Sequence, residues 1–202
     1  MMTFDDHVEA LSNKLSKRIG LFKKIKSFLP YNERLTYYTA TIKPVIMYGS
    51  AVWTLTSKSN IETIFKLQKR AARLILDADC KSRSLPLFNQ LKWIPFYEES
   101  KINRLSLLLK RIYGNVPSYL TDILKLNSSN HDKSLRHSNL NISCPKYKRQ
   151  TEGGRTFTTS SIKDWNNLPL TFKKSPSIKY FKSNLINTVL TYQINNKQFY
   201  SI

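Results

Sequence analysis

The feature that most constrains this chain is an apolar repeat with helical spacing across its first two thirds. At its start the repeat comprises Val8, Leu11, Leu15, Ile19, Phe22 and Ile25. Residues three and four apart lie on the same side of an α-helix, so this set predicts one long helix with a buried face. The same spacing recurs further along the chain. The sequence therefore predicts a mainly α fold.

Prolines and glycines divide this pattern into separate helices. Pro30 is expected to end the first helix, and Pro44 to kink or break the second, because proline lacks the N–H that a helix interior requires. A third helix is predicted from about residue 60 to 76. A fourth begins near Glu98, where negative charge suits the helix dipole, and stops at Gly114.

The composition changes after residue 126, which predicts three parts. Residues 1–126 form a helical domain, residues 127–150 a polar linker, and residues 151–202 a small mixed C-terminal module ending in a helix. Short alternating stretches beside Gly153-Gly154 are compatible with a short β-hairpin in that module. Ser175 is predicted to cap the last helix, with Pro176 at its first position.

Charge points to the class of partner. The 202 residues contain 33 Lys+Arg and 13 Asp+Glu, a formal net charge of +20. Such an excess repels itself on a compact surface unless an anion offsets it. Nucleic acid is the first candidate and an anionic membrane surface the second. A solvated basic surface without a specific partner is the third.

The third helix carries the most specific basic pattern. Lys66, Lys69, Arg70 and Arg73 fall at i, i+3, i+4 and i+7, on the side roughly opposite Ile64 and Phe65. Like charges at this spacing destabilise an isolated helix by about 0.2–0.5 kcal/mol per pair. A phosphate backbone would relieve the repulsion and release counterions. A solvated helix face is the alternative interpretation.

Further cations extend the predicted nucleic-acid-binding set. They are Lys14, Lys17, Arg18, Arg104, Arg111, Lys148 and Arg149. Tyr147 beside the last two could stack on a base, although a tyrosine there is more often packing. Nothing in the pattern resembles a motif that reads bases, so the predicted contacts are to the phosphates of RNA, an RNA–DNA hybrid or DNA.

The stretch Phe4-Asp5-Asp6 resembles the paired aspartates of a polymerase metal site. Such a pair must lie on a strand-turn-strand hairpin to hold two cations about 3.5–4 Å apart, and the residues after Asp6 have helical spacing instead. We expect a helix start, with Asp6 as N-cap and Glu9 completing a capping box. No catalytic set is predicted.

The sequence also predicts no cofactor and no metal. Cys80 and Cys144 are isolated, and three histidines complete no zinc spacing. No apolar run approaches the roughly 18 residues that span a bilayer. We therefore expect an intracellular protein, in the nucleus or the cytoplasm.

Five segments in order resemble one family. They are YYTATIKPVIMYGSAVW, LQKRAARLIL, LKWIPFYEESKINRL, YGNVPSYLTDIL and DWNNLP followed by SPSIKYFKSNL. Together they resemble the region after the polymerase palm in reverse transcriptases of non-LTR, LINE-type (jockey-like) retrotransposons. The resemblance extends from about Phe4 to Leu190.

The resemblance implies a thumb-like helical bundle and a downstream module that grip the template-primer duplex and pack on the polymerase palm. Because the palm carboxylates are absent from this sequence, we expect no enzymatic activity from it. Two other interpretations remain open: a helical protein-interaction module that docks an acidic partner, and a decayed element copy without selected function. Met47, Val52 and Trp53 are expected to be exposed without a palm.

Overall fold

The computed structural model describes residues 4–114, 140–149 and 153–199, and in these ranges the chain is mainly α-helical, as predicted. No extended strand occurs in them. We number the helices in chain order. They are α1 (Asp5–Ile25), α2 (Tyr31–Tyr37), α3 (Lys43–Met47), α4 (Ser50–Trp53), α5 (Lys58–Ile75), α6 (Ser84–Leu91), α7 (Phe96–Ile112), α8 (Phe157–Asn166), α9 (Leu170–Lys173) and α10 (Ile178–Asn196).

These helices form two compact units, each described by itself. The first unit contains the described residues up to Ser100 and from Thr188 onward, and the second contains those between Lys101 and Asn187. Residues 115–126 of the predicted helical domain and most of the predicted linker lie outside the described residues. The predicted division into domain, linker and module stays a prediction.

Helix α1 confirms that the paired aspartates open a helix. Asp5 and Asp6 occupy its first turn, and Val8 N donates to Phe4 O at 2.9 Å. The predicted capping box is wrong, because Phe4 precedes the helix with φ 58° and no side chain caps it. Asp5 Oδ1 instead accepts from Asn60 Nδ2 at 2.7 Å, a tertiary bond that a local motif does not reveal.

Helices α1 and α5 pack together and run parallel. The Asp5–Asn60 hydrogen bond joins their N-terminal ends, and an ion pair between Lys26 and Asp77 joins the residues after their C-terminal ends. The predicted stripe of α1 is buried at five positions: Val8, Leu11, Leu15, Ile19 and Phe22. The first unit is thus built on one parallel helix pair.

Arg34, on α2, closes the C-terminal end of this pair. Its Nε donates to Leu29 O at 2.7 Å and to Lys26 O at 3.1 Å, and its Nη1 donates to Ile75 O at 3.5 Å. The last carbonyls of a helix have no partner within the helix, and a cation there also suits the dipole. One guanidinium therefore serves the ends of α1 and α5 together.

Of the kink or break predicted at Pro44, a break does not occur, because helical residues continue from α2 into α3. Residues Tyr38–Ile42 form a turn of π-helix directly before α3, which has Pro44 in its first turn. The wider π-turn accommodates the missing N–H, which is a recognised cause of helix irregularity. Tyr48 and Gly49 follow as a tight turn before α4.

The third predicted helix is confirmed as α5, with Ser57 Oγ accepting from Asn60 N at 3.4 Å at its start. Its buried face holds Gln68 among apolar residues, which the apolar pattern did not predict. Gln68 Oε1 accepts from Phe96 N at 3.0 Å, and its Nε2 lies 3.4 Å from Ile94 O. The amide therefore satisfies buried backbone groups that precede α7.

Aromatic rings complete the core of the first unit. Trp53 is 2% exposed and stacks on Phe96 with ring centroids 5.5 Å apart, and Tyr38 stacks on Trp93 at 4.1 Å. The expected exposure of Trp53 is therefore wrong, because Phe96 covers it. Val52 is exposed as expected.

The second unit is also helical around Trp165. This residue is fully buried, and its Nε1 donates to Leu140 O at 2.8 Å. Gly153 and Gly154 lie in a helical turn, and Thr156 Oγ1 accepts from Thr159 N at the start of α8. Of the described residues of the suggested hairpin, 141–149 are irregular with a single bridge residue, Ile142, and 153–161 form a turn and the start of α8.

The start of α10 differs from the prediction by two residues. Ser177 Oγ accepts from Tyr180 N at 3.2 Å, which is the capping contact expected of Ser175. Ser175 Oγ instead donates to Phe172 O at 2.7 Å and closes the preceding turn. On α10, Phe181, Leu185 and Val189 are buried and Ile178 is half-buried, so these residues form its core side.

Two kinds of feature are absent from the described residues. Their helices include none with the length and apolar character needed to cross a membrane. Their His, Cys, Asp and Glu side chains form no group of three or more that could hold a metal ion.

Candidate nucleic-acid interface

The basic face of α5 is centred on two exposed cations, Lys66 and Arg70. They lie one turn apart on the side away from the buried residues Ile64 and Ile75. Neither has a recorded ion-pair partner among the described residues. They form an exposed pair of positive charges on one side of the helix.

Lys69, on the same face, is half-buried. Its Nζ lies 4.0 Å from the centroid of the Phe65 ring and 5.7 Å from that of Phe199. Burial lowers the pKa of Lys69, and the negative charge of Glu62 opposes that change. The ammonium is therefore partly engaged by aromatic faces, and only its outer side is available to a ligand.

Arg73 is engaged by the loop that follows α5. Its Nε and Nη2 donate to Ser82 O at 3.1 and 3.0 Å. The predicted row of four cations therefore contains two exposed members and two that also serve the fold. Helical spacing placed all four on one face, but contacts with the loop and the C-terminal Phe199 were not visible from it.

The cations of α1 likewise include exposed side chains and one that is bonded to the fold. Lys14 and Lys17 are exposed. Arg18 is half-buried, and its Nη1 donates to Thr41 O in the π-turn. The guanidinium is therefore held against the protein surface at a fixed place.

Arg104, in the second unit, is not available at the surface as predicted. It is 5% exposed, and its Nη2 lies 3.2 Å from Asp164 Oδ2. Lys101 Nζ lies 3.6 Å from the other oxygen of the same carboxylate. The prediction for Arg104 is wrong because its acidic partner lies 60 positions further along the chain. Arg111 is half-buried in the last turn of α7.

Lys148 and Arg149 are exposed, as a binding role requires. Tyr147 beside them bonds through its hydroxyl to Lys163, whose Nζ lies 4.6 Å from the ring centroid. Gly153 allows this arrangement, because a Cβ there would lie 2.3 Å from Tyr147 Cβ. The Lys163 ammonium occupies one side of the tyrosine ring, which disfavours base stacking on that side.

In the structure, the exposed members of the predicted cation set lie on several separate basic surfaces. Lys66 and Arg70 lie on α5, Lys14 and Lys17 on α1, and Lys148 and Arg149 in the second unit. The sequence did not identify Lys163 as part of the last group, since only the fold brings it to Tyr147. Each surface presents ammonium or guanidinium groups, which suit phosphates.

Part of this chain is similar to proteins of transposons. A stretch of 101 residues is 28% identical to the "Probable RNA-directed DNA polymerase from transposon X-element" of Drosophila melanogaster, covering 48% of this chain and 11% of that protein. A stretch of 93 residues is 28% identical to the "Probable RNA-directed DNA polymerase from transposon BS" of the same organism, covering 45% and 10%. The chain thus spans about a tenth of the length of these curated relatives. No family model and no solved structure matches it.

These relatives contradict the expectation that this chain, lacking the palm carboxylates, has no enzymatic activity. Both are named as RNA-directed DNA polymerases, and the similarity covers only a small part of each. The lack of a catalytic set in this sequence is therefore no ground for excluding an enzyme. About half of the chain is a region similar to the RNA-directed DNA polymerases of transposons.

Proposed function

We propose that this chain is the post-palm region of a LINE-type retrotransposon reverse transcriptase and holds the phosphate backbone of the template-primer duplex. Its helices would form the thumb-like part and the module after it. In the parent protein, the polymerase palm would be its protein neighbour, and RNA, an RNA–DNA hybrid or DNA its ligand.

The observation that carries this proposal is the exposed pair Lys66 and Arg70 on α5. In a chain of net charge +20, these two side chains form a surface with no recorded ion pair among the described residues. Gln68 anchors the opposite side of the same helix turn to the backbone of Phe96. The cations are therefore presented by a helix whose position is fixed.

Charge attraction to a phosphate backbone has a measurable signature. Each neutralised phosphate of a B-DNA-like duplex contributes about −0.9 to the slope of log affinity against log salt. Two contacts through α5 therefore contribute roughly −1.8 to that slope. The contacts carry no base sequence information, so affinity should be similar for unrelated sequences.

The test is fluorescence anisotropy of the full chain with a blunt RNA–DNA hybrid across a salt series. The double variant Lys66→Glu with Arg70→Glu should bind at least tenfold more weakly at low salt, with a shallower slope. The control is Lys174→Glu with Lys179→Glu, which changes the net charge equally at exposed positions of the second unit. Equal effects of the two variants would contradict a specific role of α5.

A second measurement addresses the acidic-protein alternative. The chain is purified at moderate salt after nuclease treatment, and bound material is analysed for protein and nucleic acid. Nucleic acid that resists exchange until the salt is raised is expected. An acidic protein retained after complete nuclease digestion, together with no affinity for the hybrid, would refute the proposal.

A further inference from the structure

A groove of about 450 Å³ lies in the first unit between α1 and the turn that ends α3. Its apolar part is lined by Leu11, Pro44 and Val45, and its polar part by Lys14 and Arg18. The volume lies within the roughly 300–1,000 Å³ that small-molecule sites occupy. A groove of this volume fits a ligand the size of one nucleotide better than it fits the surface of a folded protein.

Tyr48 forms one wall of the groove and is among the most exposed aromatic residues that the structure describes. Its side chain is 81% exposed. Its backbone is nonetheless fixed: Tyr48 has φ −63° and ψ 120°, and Gly49 has φ 61° and ψ 9°. These angles are those of a type II turn, which requires glycine at the second position. Tyr48 O also accepts from Nε1 of the buried Trp53 at 3.0 Å.

The positive charge of the groove indicates that it binds an anionic ligand. Lys14 is exposed at its edge, and Arg18 is held by its bond to Thr41 O. The imidazole of His7 also lines the groove, 5.9 Å from the Trp53 ring. Among the described residues that line it, none is acidic. An exposed aromatic ring next to cations, on a backbone turn of fixed geometry, is the arrangement that binds unpaired nucleotides by stacking and charge.

We propose that this groove binds one unpaired nucleotide of a single-stranded RNA or DNA segment, with the base against Tyr48 and the phosphate against Lys14 and Arg18. The inference rests on the proposed function, because it adds a single-strand site to the duplex contact. The two sites differ in chemistry: Lys66 and Arg70 contact only backbone, whereas Tyr48 needs a base that is free to stack.

The test compares two probes with the full chain: a blunt RNA–DNA hybrid, and the same hybrid with a single-stranded overhang. The variant Tyr48→Ala should weaken the overhang complex by roughly 5- to 150-fold, the range for loss of one stacked base. Binding of the blunt hybrid should not change. Tyr48→Phe should retain the wild-type affinity, because stacking uses the ring and not the hydroxyl.

The matched control is Tyr180→Ala, which removes a tyrosine that is 52% exposed in the second unit. An overhang made of abasic sites should bind Tyr48→Ala and the unmodified chain equally. Lys14→Gln should weaken the overhang complex and reduce its salt dependence. Circular dichroism and urea unfolding establish that each variant is folded.

The outcomes separate the two proposals. If Tyr48→Ala and Tyr180→Ala affect the overhang equally, or if Tyr48→Ala weakens both probes alike, the groove proposal is overturned while binding of the blunt hybrid still supports the duplex role. If the unmodified chain binds the overhang strand but not the blunt hybrid, the duplex role fails. Tight binding of an acidic peptide in place of the overhang would also overturn the groove proposal.

Discussion

Replacement of Gln68 tests how strongly one buried polar side chain holds the α5 surface in place. Gln68→Met keeps a similar length and removes both hydrogen-bonding groups. It leaves the buried N–H of Phe96 without its acceptor, which costs about 1–3 kcal/mol. It also removes the donor of the bond to Ile94 O, about 0.5–1.5 kcal/mol.

Together these losses predict a decrease of roughly 2–4 kcal/mol in the free energy of unfolding. For a chain of this size, that corresponds to a fall of roughly 4–16 °C in Tm. Urea unfolding followed by circular dichroism measures the change. Gln90→Met, the same substitution at an exposed position of α6, should stay within about 0.5 kcal/mol of the unmodified chain.

A second variant tests the physical reason. Gln68→Glu keeps an acceptor for Phe96 N and loses the amide donor, and burial raises the pKa of the new carboxyl above its unfolded value of about 4.3. The folded form then holds its proton at higher pH than the unfolded form. The stability that this carboxyl contributes is therefore fully present below about pH 4 and is lost as the pH rises through its folded pKa. Equal stability of the Gln68 and Gln90 variants, or no pH dependence in Gln68→Glu, would refute the reasoning.

Two further predictions concern the same unit. Arg34→Lys should lower the free energy of unfolding by about 1–3 kcal/mol, because lysine lacks the forked guanidinium that reaches three carbonyls. Urea unfolding measures this change, with Arg83→Lys as a control at an exposed position. Equal effects of the two substitutions would contradict the prediction. Burial raises the pKa of Tyr38 and of Tyr97 above the ordinary value of 10.0. Stability should therefore fall as the pH rises above about 10, and near-ultraviolet absorbance should show these phenols ionising only on unfolding. Ionisation of the Tyr38 and Tyr97 phenols in the folded chain would contradict the raised pKa values; the variant Tyr38→Phe assigns the absorbance change to one of the two.

Local sequence patterns predicted the helices well, because their causes are local. Three features depend on spacing or on one residue's backbone chemistry: the stripe from Val8 to Phe22, the helix irregularity before Pro44 and the stop at Gly114. Cap positions were less well predicted. Asp6 and Ser175 have the right chemistry, yet Asp5 is drawn to Asn60 and Ser177 takes the capping contact of α10.

The candidate site was predicted only in part, because distant contacts decide which cations remain exposed. Lys66 and Arg70 are exposed, whereas Arg73 bonds to Ser82 O and Arg104 pairs with Asp164. Spacing along a helix gives the side a residue faces, but it does not reveal a partner that arrives from another segment. Tyr48 was missed for the same reason, since its groove exists only once α1 and α3 are together.

The parallel pairing of α1 with α5 also bears on synthesis at the ribosome. The apolar side of α1 is complete at Ile25, but the helix that covers it ends only at Ile75. At the usual 5–20 residues per second, translation of the intervening segment takes roughly 3–10 s. During that interval the apolar face of nascent α1 is exposed, so we expect co-translational chaperones to bind it. Slower codons between the two helices should therefore increase aggregation of the newly made chain.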